Sequence, residues 1–168
     1  IVRSANGLHA EALASAVEAV EAHRRLAEAL HGVHRPRLAV ALTTLAARYG
    51  AAGNFKEALA AAIEAVRIRR HDPEGRPADL AHALGNLAAL LARAKQWAYA
   101  EKTAADAVAV YLSLGDLDEQ VHVESLAGAL HTRAAAASHV EGATDRMVEA
   151  IDASVELRRA QAAALGGR

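Results

Sequence analysis

The chain is poor in the residues that usually anchor a small globular core. It has no cysteine, so disulfides and thiolate metal sites are excluded, and a reducing cytoplasm is the expected location. One Trp, one Phe and three Tyr leave almost no aromatic bulk to fill an interior. Three prolines allow few breaks in regular structure. No apolar run approaches the ~20 residues that a membrane-spanning helix needs, and no signal peptide is expected from the opening residues. Neither sign of charge dominates: 19 Lys and Arg stand against 20 Asp and Glu, for a net charge of −1. No basic field calls for nucleic acid, and no acidic tail is present.

What fills the chain instead is alanine, 46 of 168 residues. Alanine at this level, with few β-branched runs, favours helix nearly throughout. A core of Ala and Leu has little side-chain volume, so its helices must approach closely.

The text also repeats, at a spacing of 42 to 46 residues. LAVALTTLAARYGAAGNFKEALAAAIEAVRIRR starts at Leu38, LAHALGNLAALLARAKQWAYAEKTAADAVAVYL at Leu80, and LAGALHTRAAAASHVEGATDRMVEAIDASVELRR at Leu126, one residue longer in its middle. GLHAEALASAVEAVEAHRR, from Gly7, matches the second half of that unit. A fixed period in this range marks stacked supersecondary units. One array over 1–168 is expected, with a partial repeat 1–37 and full repeats 38–79, 80–125 and 126–168. Opening on Ile1 in mid-repeat suggests a piece of a longer protein.

Inside each unit, apolar residues fall at helical spacing: Leu38, Leu42, Leu45 and Tyr49, then Leu59, Ile63 and Val66, with Leu80, Leu84, Leu87 and Leu91 repeating the first series. A break is expected at Gly50–Gly53, followed by a capping box of Asn54 and Glu57. The turns should centre near Gly53, Lys95 and Gly142, and connectors near 31–37, 71–78 and 114–120, the last looser or partly helical. Pro36 and Pro77 suit the first turn of the following helix. Ala58, Ala62 and Ala65 correspond to Ala100, Ala104 and Ala107 and to Ala12, Ala16 and Ala19; spacings of four and three put each set on one helix face. Ala62 and Ala104 should therefore be buried where helices meet. The first clear element, Ala10 to about Leu30, should bury its stripe of Leu13, Val17, Val20 and Leu26 on one side only.

These residues carry a resemblance to the tetratricopeptide repeat family. Leu42, Leu45, Ala46, Tyr49, Gly53, Ala58 and Ala65 fill that family's large, small, aromatic, turn and second-helix positions; Leu84, Leu87, Ala88, Leu91, Ala100 and Ala107 do so in the next unit, with Lys95 at the turn glycine. The repeats exceed the family's usual 34 residues and are similar to the kinesin-light-chain-like type and to tandem repeats of large actinobacterial signalling proteins. In the last unit Arg133 stands at the place of Leu45, and Met147, Ile151 and Ser154 replace the alanines. The resemblance implies an all-α, right-handed superhelical solenoid of antiparallel helix pairs, about three and a half repeats long.

It further implies a concave groove lined by the first helices. The groove residues would be Thr43, Thr44 and Ala47 beside Val40; then His82, Asn86, Ala89 and Arg93; then His131, Thr132 and His139 beside Ala135. Asn86 occupies the position of an Asn that grips a peptide backbone in the kinesin-light-chain-like relatives, and an amide can both donate to and accept from a peptide bond. The competing reading is a bond within its own neighbourhood. A Lys that clamps a terminal carboxylate elsewhere in the family is missing, with Thr43 and Gly85 at those places.

Other chemistry finds no support in the residues. His31 and His34 lack a third ligand, His82, His131 and His139 would have to converge, and there is no HExxH, so no metal is expected. Asp116, Asp118 and Gln120 resemble a calcium loop, but Val121 stands where Gly is required. Arg24, Arg69, Arg70, Arg158 and Arg159 are expected at second-helix ends, where cations complement the dipole. No phosphate-binding loop or nucleophile arrangement appears. The sequence therefore predicts no enzyme, no cofactor, and a protein or peptide ligand held in the groove. The alternative is a sensor or regulatory segment of a larger signalling protein, such as a nucleotide-switch ATPase. The N-terminal end is expected either to contact a second copy, giving self-association, or to be covered by residues outside this piece, because an uncapped stacking face lies in water.

Overall fold

The structure is a computed structural model that describes residues 2–30, 34–114 and 120–166, with side chains described over 10–30, 34–114 and 122–163. Among them are seven helices and no strand: α1 (Val2–Ala29), α2 (Arg35–Ala51), α3 (Phe55–Arg70), α4 (Pro77–Arg93), α5 (Trp97–Ser113), α6 (Gln120–Ala137) and α7 (Thr144–Gly166). The contacts gather into two compact units, Ile1–Gly75 and Arg76–Arg168. The expected third connector falls largely at 115–119, outside the described residues.

In the first unit α2 packs on both α1 and α3. Its core is the Leu38, Leu42 and Leu45 stripe of α2 against Ala58, Ala62, Ala65 and Val66 of α3, all buried. In the second unit α4 and α5 pair, α6 packs on both of them, and α7 packs on α6. There Leu84, Leu87, Ala88 and Leu91 meet an α5 face of Ala100, Ala104 and Ala107, and the three alanines are fully buried. Both expected contact alanines, Ala62 and Ala104, are thus interior.

Two of the turns have the same hydrogen bonds. The Gly53 and Asn54 amides donate to the Gly50 and Tyr49 carbonyls, and the Lys95 and Gln96 amides to those of Ala92 and Leu91. This is the Schellman arrangement, which needs one residue in the left-handed region. Gly53 takes it at φ 81°, Lys95 at 59°, and Gly142 marks the third turn at 72°. The turn positions are those expected.

Four local expectations are corrected. Gly50 is buried inside α2, which runs on to Ala51, so the break is shorter than Gly50–Gly53. Asn54 is the N-cap of α3 but makes no side-chain cap bond. Its own amide, the group Glu57 would have to reach, already donates to the Tyr49 carbonyl. Arg69 and Arg70 do lie in the last turn of α3, whereas α1 and α7 extend past Arg24, Arg158 and Arg159 and have no basic residue in their last turns. Helix α1 begins at Val2 rather than Ala10. Val20 is buried and Leu13 and Val17 half-buried, but Leu26 is exposed; the covered stripe passes through Ala16 and His23 instead.

Candidate protein-binding face

Each first helix buries one stripe and leaves another in solvent. On α4 the buried side is Ala81, Leu84, Ala88 and Leu91, and the opposite side carries His82, Ala89 and Arg93, exposed, with Asn86 half-buried among them. The residues recur at spacings of three and four, so they form one row along the helix. Asn86 Nδ2 lies 3.1 Å from His82 Nε2, one turn earlier. The amide nitrogen can donate there when Nε2 is the unprotonated ring nitrogen, which leaves the amide oxygen as acceptor.

Helix α6 packs against α4 within the same unit. His131 is exposed on α6, and the Thr132 hydroxyl, half-buried, donates to the Gly128 carbonyl at 2.9 Å. His139 lies elsewhere: α6 ends at Ala137, and His139 sits in the following turn with its ring stacked on Trp97 at 4.1 Å between centroids. A row on α6 therefore ends before His139.

In the first unit, α2 presents Thr44 and Ala47 to solvent and Thr43 half-buried. Both hydroxyls are engaged within the helix, Thr43 on the Ala39 carbonyl at 2.9 Å and Thr44 on that of Val40 at 3.2 Å. Such back-bonds satisfy the hydroxyl locally and leave its methyl group as the outward surface.

Two features escaped the sequence reading. The first is a cleft of about 320 Å³ formed by Ala16, Ala19 and His23 of α1 and Arg37, Val40, Ala41 and Thr44 of α2. The second is an ion cluster joining α5, α6 and α7. Glu101, only 9% exposed, lies 3.7 Å from Arg133 and 3.3 Å from Arg146, and Arg133 also reaches Glu149 at 3.0 Å. Arg133 takes a Leu position in the repeat and Glu101 takes that of Leu59, so a paired departure from the apolar pattern was the signal in the text. Toward the end of α5, burial pushes the Tyr111 hydroxyl above its ordinary pKa range, and a hydrogen bond to Ser125 opposes that shift. In the first unit, Arg24 of α1 bonds Glu64 of α3 at 2.8 Å, and this bond holds the guanidinium above its usual value.

Among the described residues no group of three or more His, Asp or Glu is arranged to hold a metal ion. Nor is any described helix long and apolar enough to cross a membrane.

Among solved structures, the chain is similar to BtubC (BKLC) from P. vanneervenii, with 19% sequence identity and a TM-score of 0.59 over 90% of this chain and 74% of that one. No protein-family model and no curated protein matches. The likeness supports an all-helical, tetratricopeptide-like repeat fold. In the α2–α3 and α4–α5 hairpins most residues that carry the resemblance occupy the interior: Leu42, Leu45, Ala46, Ala58 and Ala65 are buried, as are their α4 and α5 counterparts, while Tyr49 is half-buried and the turn residue Gly53 exposed.

Proposed function

We propose that the chain is a non-catalytic protein-interaction module that binds an extended peptide or a helix of a partner along its first helices. The observation that carries this reading is the α4 row. His82, Asn86, Ala89 and Arg93 lie opposite a fully apolar buried stripe, and the Asn86 amide oxygen remains available to accept from a peptide N–H. Polar groups of this kind give little core stability, so their alignment on a rigid helix suits recognition. His131 and Thr132 on α6 continue the surface, and Thr43, Thr44 and Ala47 offer a comparable row on α2. The absence of cysteine suits work in a reducing cytoplasm.

A displayed peptide library panned on the purified chain tests this. Selected peptides should lose at least about tenfold in affinity on Asn86→Ala, a change of roughly 1.4 kcal/mol or more. His139→Ala, beyond the row, should leave binding unchanged. Peptides that bind equally well to both variants would remove the α4 row from the proposal.

A further inference from the structure

We infer that His82 is a proton-controlled gate on the α4 row, holding Asn86 ready for a peptide at neutral pH and withdrawing it on acidification. This gate rests on the reading of that row as a peptide-binding face, and supplies its regulation. Its basis is the contact of Asn86 Nδ2 with His82 Nε2 at 3.1 Å. An amide NH2 group only donates, so the contact is a hydrogen bond only while Nε2 is unprotonated and accepts. In that state the Asn86 oxygen is left for a peptide N–H. The repeat shows how particular this is. The places of His82 and Asn86 are held by Val40 and Thr44 in α2 and by Gly128 and Thr132 in α6. There the Thr hydroxyl donates to the backbone carbonyl of its partner position, a bond that no proton alters near neutral pH. Helix α4 replaces that fixed bond with one that a titrating ring controls.

A proton on the ring reverses the arrangement. Both nitrogens of an imidazolium are donors, so Nε2–H would face a second donor across the same 3.1 Å. The conflict is removed when the amide turns over and offers its oxygen to Nε2–H, in a stronger, charge-assisted bond. The oxygen is then engaged within the helix, and the row shows an NH2 group beside a new positive charge. A peptide held through its own N–H on Asn86 loses its acceptor. Histidine suits this change, because an imidazole ordinarily exchanges its proton between about pH 5 and 8. His82 is exposed, so its ring exchanges that proton directly with solvent.

Other charged groups belong to the same unit. On α4, Asp79 lies one turn before the ring and accepts from Arg76 at 3.0 Å, while Arg93 closes the row. Helix α6, packed against α4, carries His122, Glu124, His131 and Arg133. His122 lies beside Tyr111 with ring centroids 6.4 Å apart, and Arg133 is held by Glu101 and Glu149. Glu124 and His131 are exposed. Helix α5 meets α4 on its buried stripe, the side away from His82. His131 is therefore the other exposed histidine on the first helices of this unit, and it serves as the control.

A titration of the full chain by nuclear magnetic resonance, from about pH 8 to about pH 5, tests the gate without any peptide. The Asn86 side-chain amide signals should move with the same midpoint as the His82 ring. In His82→Gln, which keeps an acceptor that no proton removes, they should stay still. Asn86 signals that ignore the titration of the ring overturn the inference. Histidine-free peptides selected at neutral pH then read the effect on binding. One pH unit below its midpoint an imidazole is about ten parts protonated to one neutral, so these peptides should bind about tenfold weaker there. His82→Gln should bind them equally at both pH values, and His131→Gln should keep the wild-type loss. Unchanged wild-type affinity on acidification overturns the gate and leaves the α4 row standing, as does a loss that persists in His82→Gln. Peptides indifferent to Asn86→Ala would instead remove the row, and the gate with it, whatever the amide signals show.

Discussion

The α4–α5 and α6–α7 hairpins belong to one unit and follow the same repeat pattern, yet they are held together by different physics. In α4–α5 the contact is dry and small: Leu84, Leu87 and Ala88 against three fully buried alanines. In α6–α7 the place of Leu87 is held by Arg133, whose side chain is only 14% exposed and is tied to Glu101 of α5 and Glu149 of α7. An apolar contact tolerates loss of a methyl group better than added bulk. An ion cluster tolerates added bulk at its rim but not loss of one charge. The comparison therefore predicts opposite sensitivities in adjacent hairpins.

The largest effect is expected at the cluster. Glu101→Leu leaves Arg133 and Arg146 without their shared acceptor, and an enclosed guanidinium without a carboxylate is costly. The remaining Glu149 is 67% exposed and contributes little. Stability from urea unfolding should fall by about 3 kcal/mol. Pairing Glu101→Leu with Arg133→Leu recreates the pattern of the earlier repeats. It should return stability to within about 1 kcal/mol of wild type, because apolar replacement of a whole buried pair is commonly neutral or favourable. Equal losses in the single and double variants would mean that the ion pairs do not hold the hairpin.

A smaller loss is expected from bulk in the dry hairpin. Ala104→Leu inserts a side chain where α4, α5 and α6 meet and should cost about 2 kcal/mol in urea unfolding. Ala62→Leu, at the same register in α3, should cost less, since within its unit α3 pairs with α2, whereas α5 packs on both α4 and α6. At the corresponding position of α7 stands Ile151, 45% exposed, where bulk is already accommodated. A midpoint unchanged by both alanine substitutions would contradict the close approach.

Most of the architecture was legible because it rests on periodic positions. The leucine stripes of α2 and α4, the alanine faces of α3 and α5, and all three turns follow from spacing alone. What was illegible depends on which elements lie beside a helix. Ile63 and Ile151 continue apolar series in the text but face outward, because each helix buries only the side its neighbour covers. The capping box at Asn54 and Glu57 fits its motif, yet the Schellman bond to Tyr49 had already used the amide it requires. The candidate row on α4 was visible as residues, whereas the Asn86–His82 contact and the position of His139 beyond α6 required coordinates. The α1–α2 cleft was hidden because its lining comes from two helices, Ala16, Ala19 and His23 on one and Val40, Ala41 and Thr44 on the other, and spacing within one helix does not show where two faces meet.

The smallest effect compares two turns of the same geometry. Gly53 and Lys95 both occupy the left-handed position of a Schellman turn, at φ 81° and 59°. A residue with a Cβ pays roughly 1 kcal/mol or more for that region, and glycine does not. Glycine loses more conformational freedom on folding, which returns roughly 0.5–1 kcal/mol of the difference. Lys95→Gly should therefore raise stability by only about 0.5 kcal/mol, seen as a higher urea midpoint with an unchanged slope. Gly53→Ala should show the opposite sign. No atom lies within 4 Å of a Cβ built there, so its cost is backbone strain alone and not a clash. Two midpoints moving in the same direction would mean that the turns differ in more than the residue at the left-handed position.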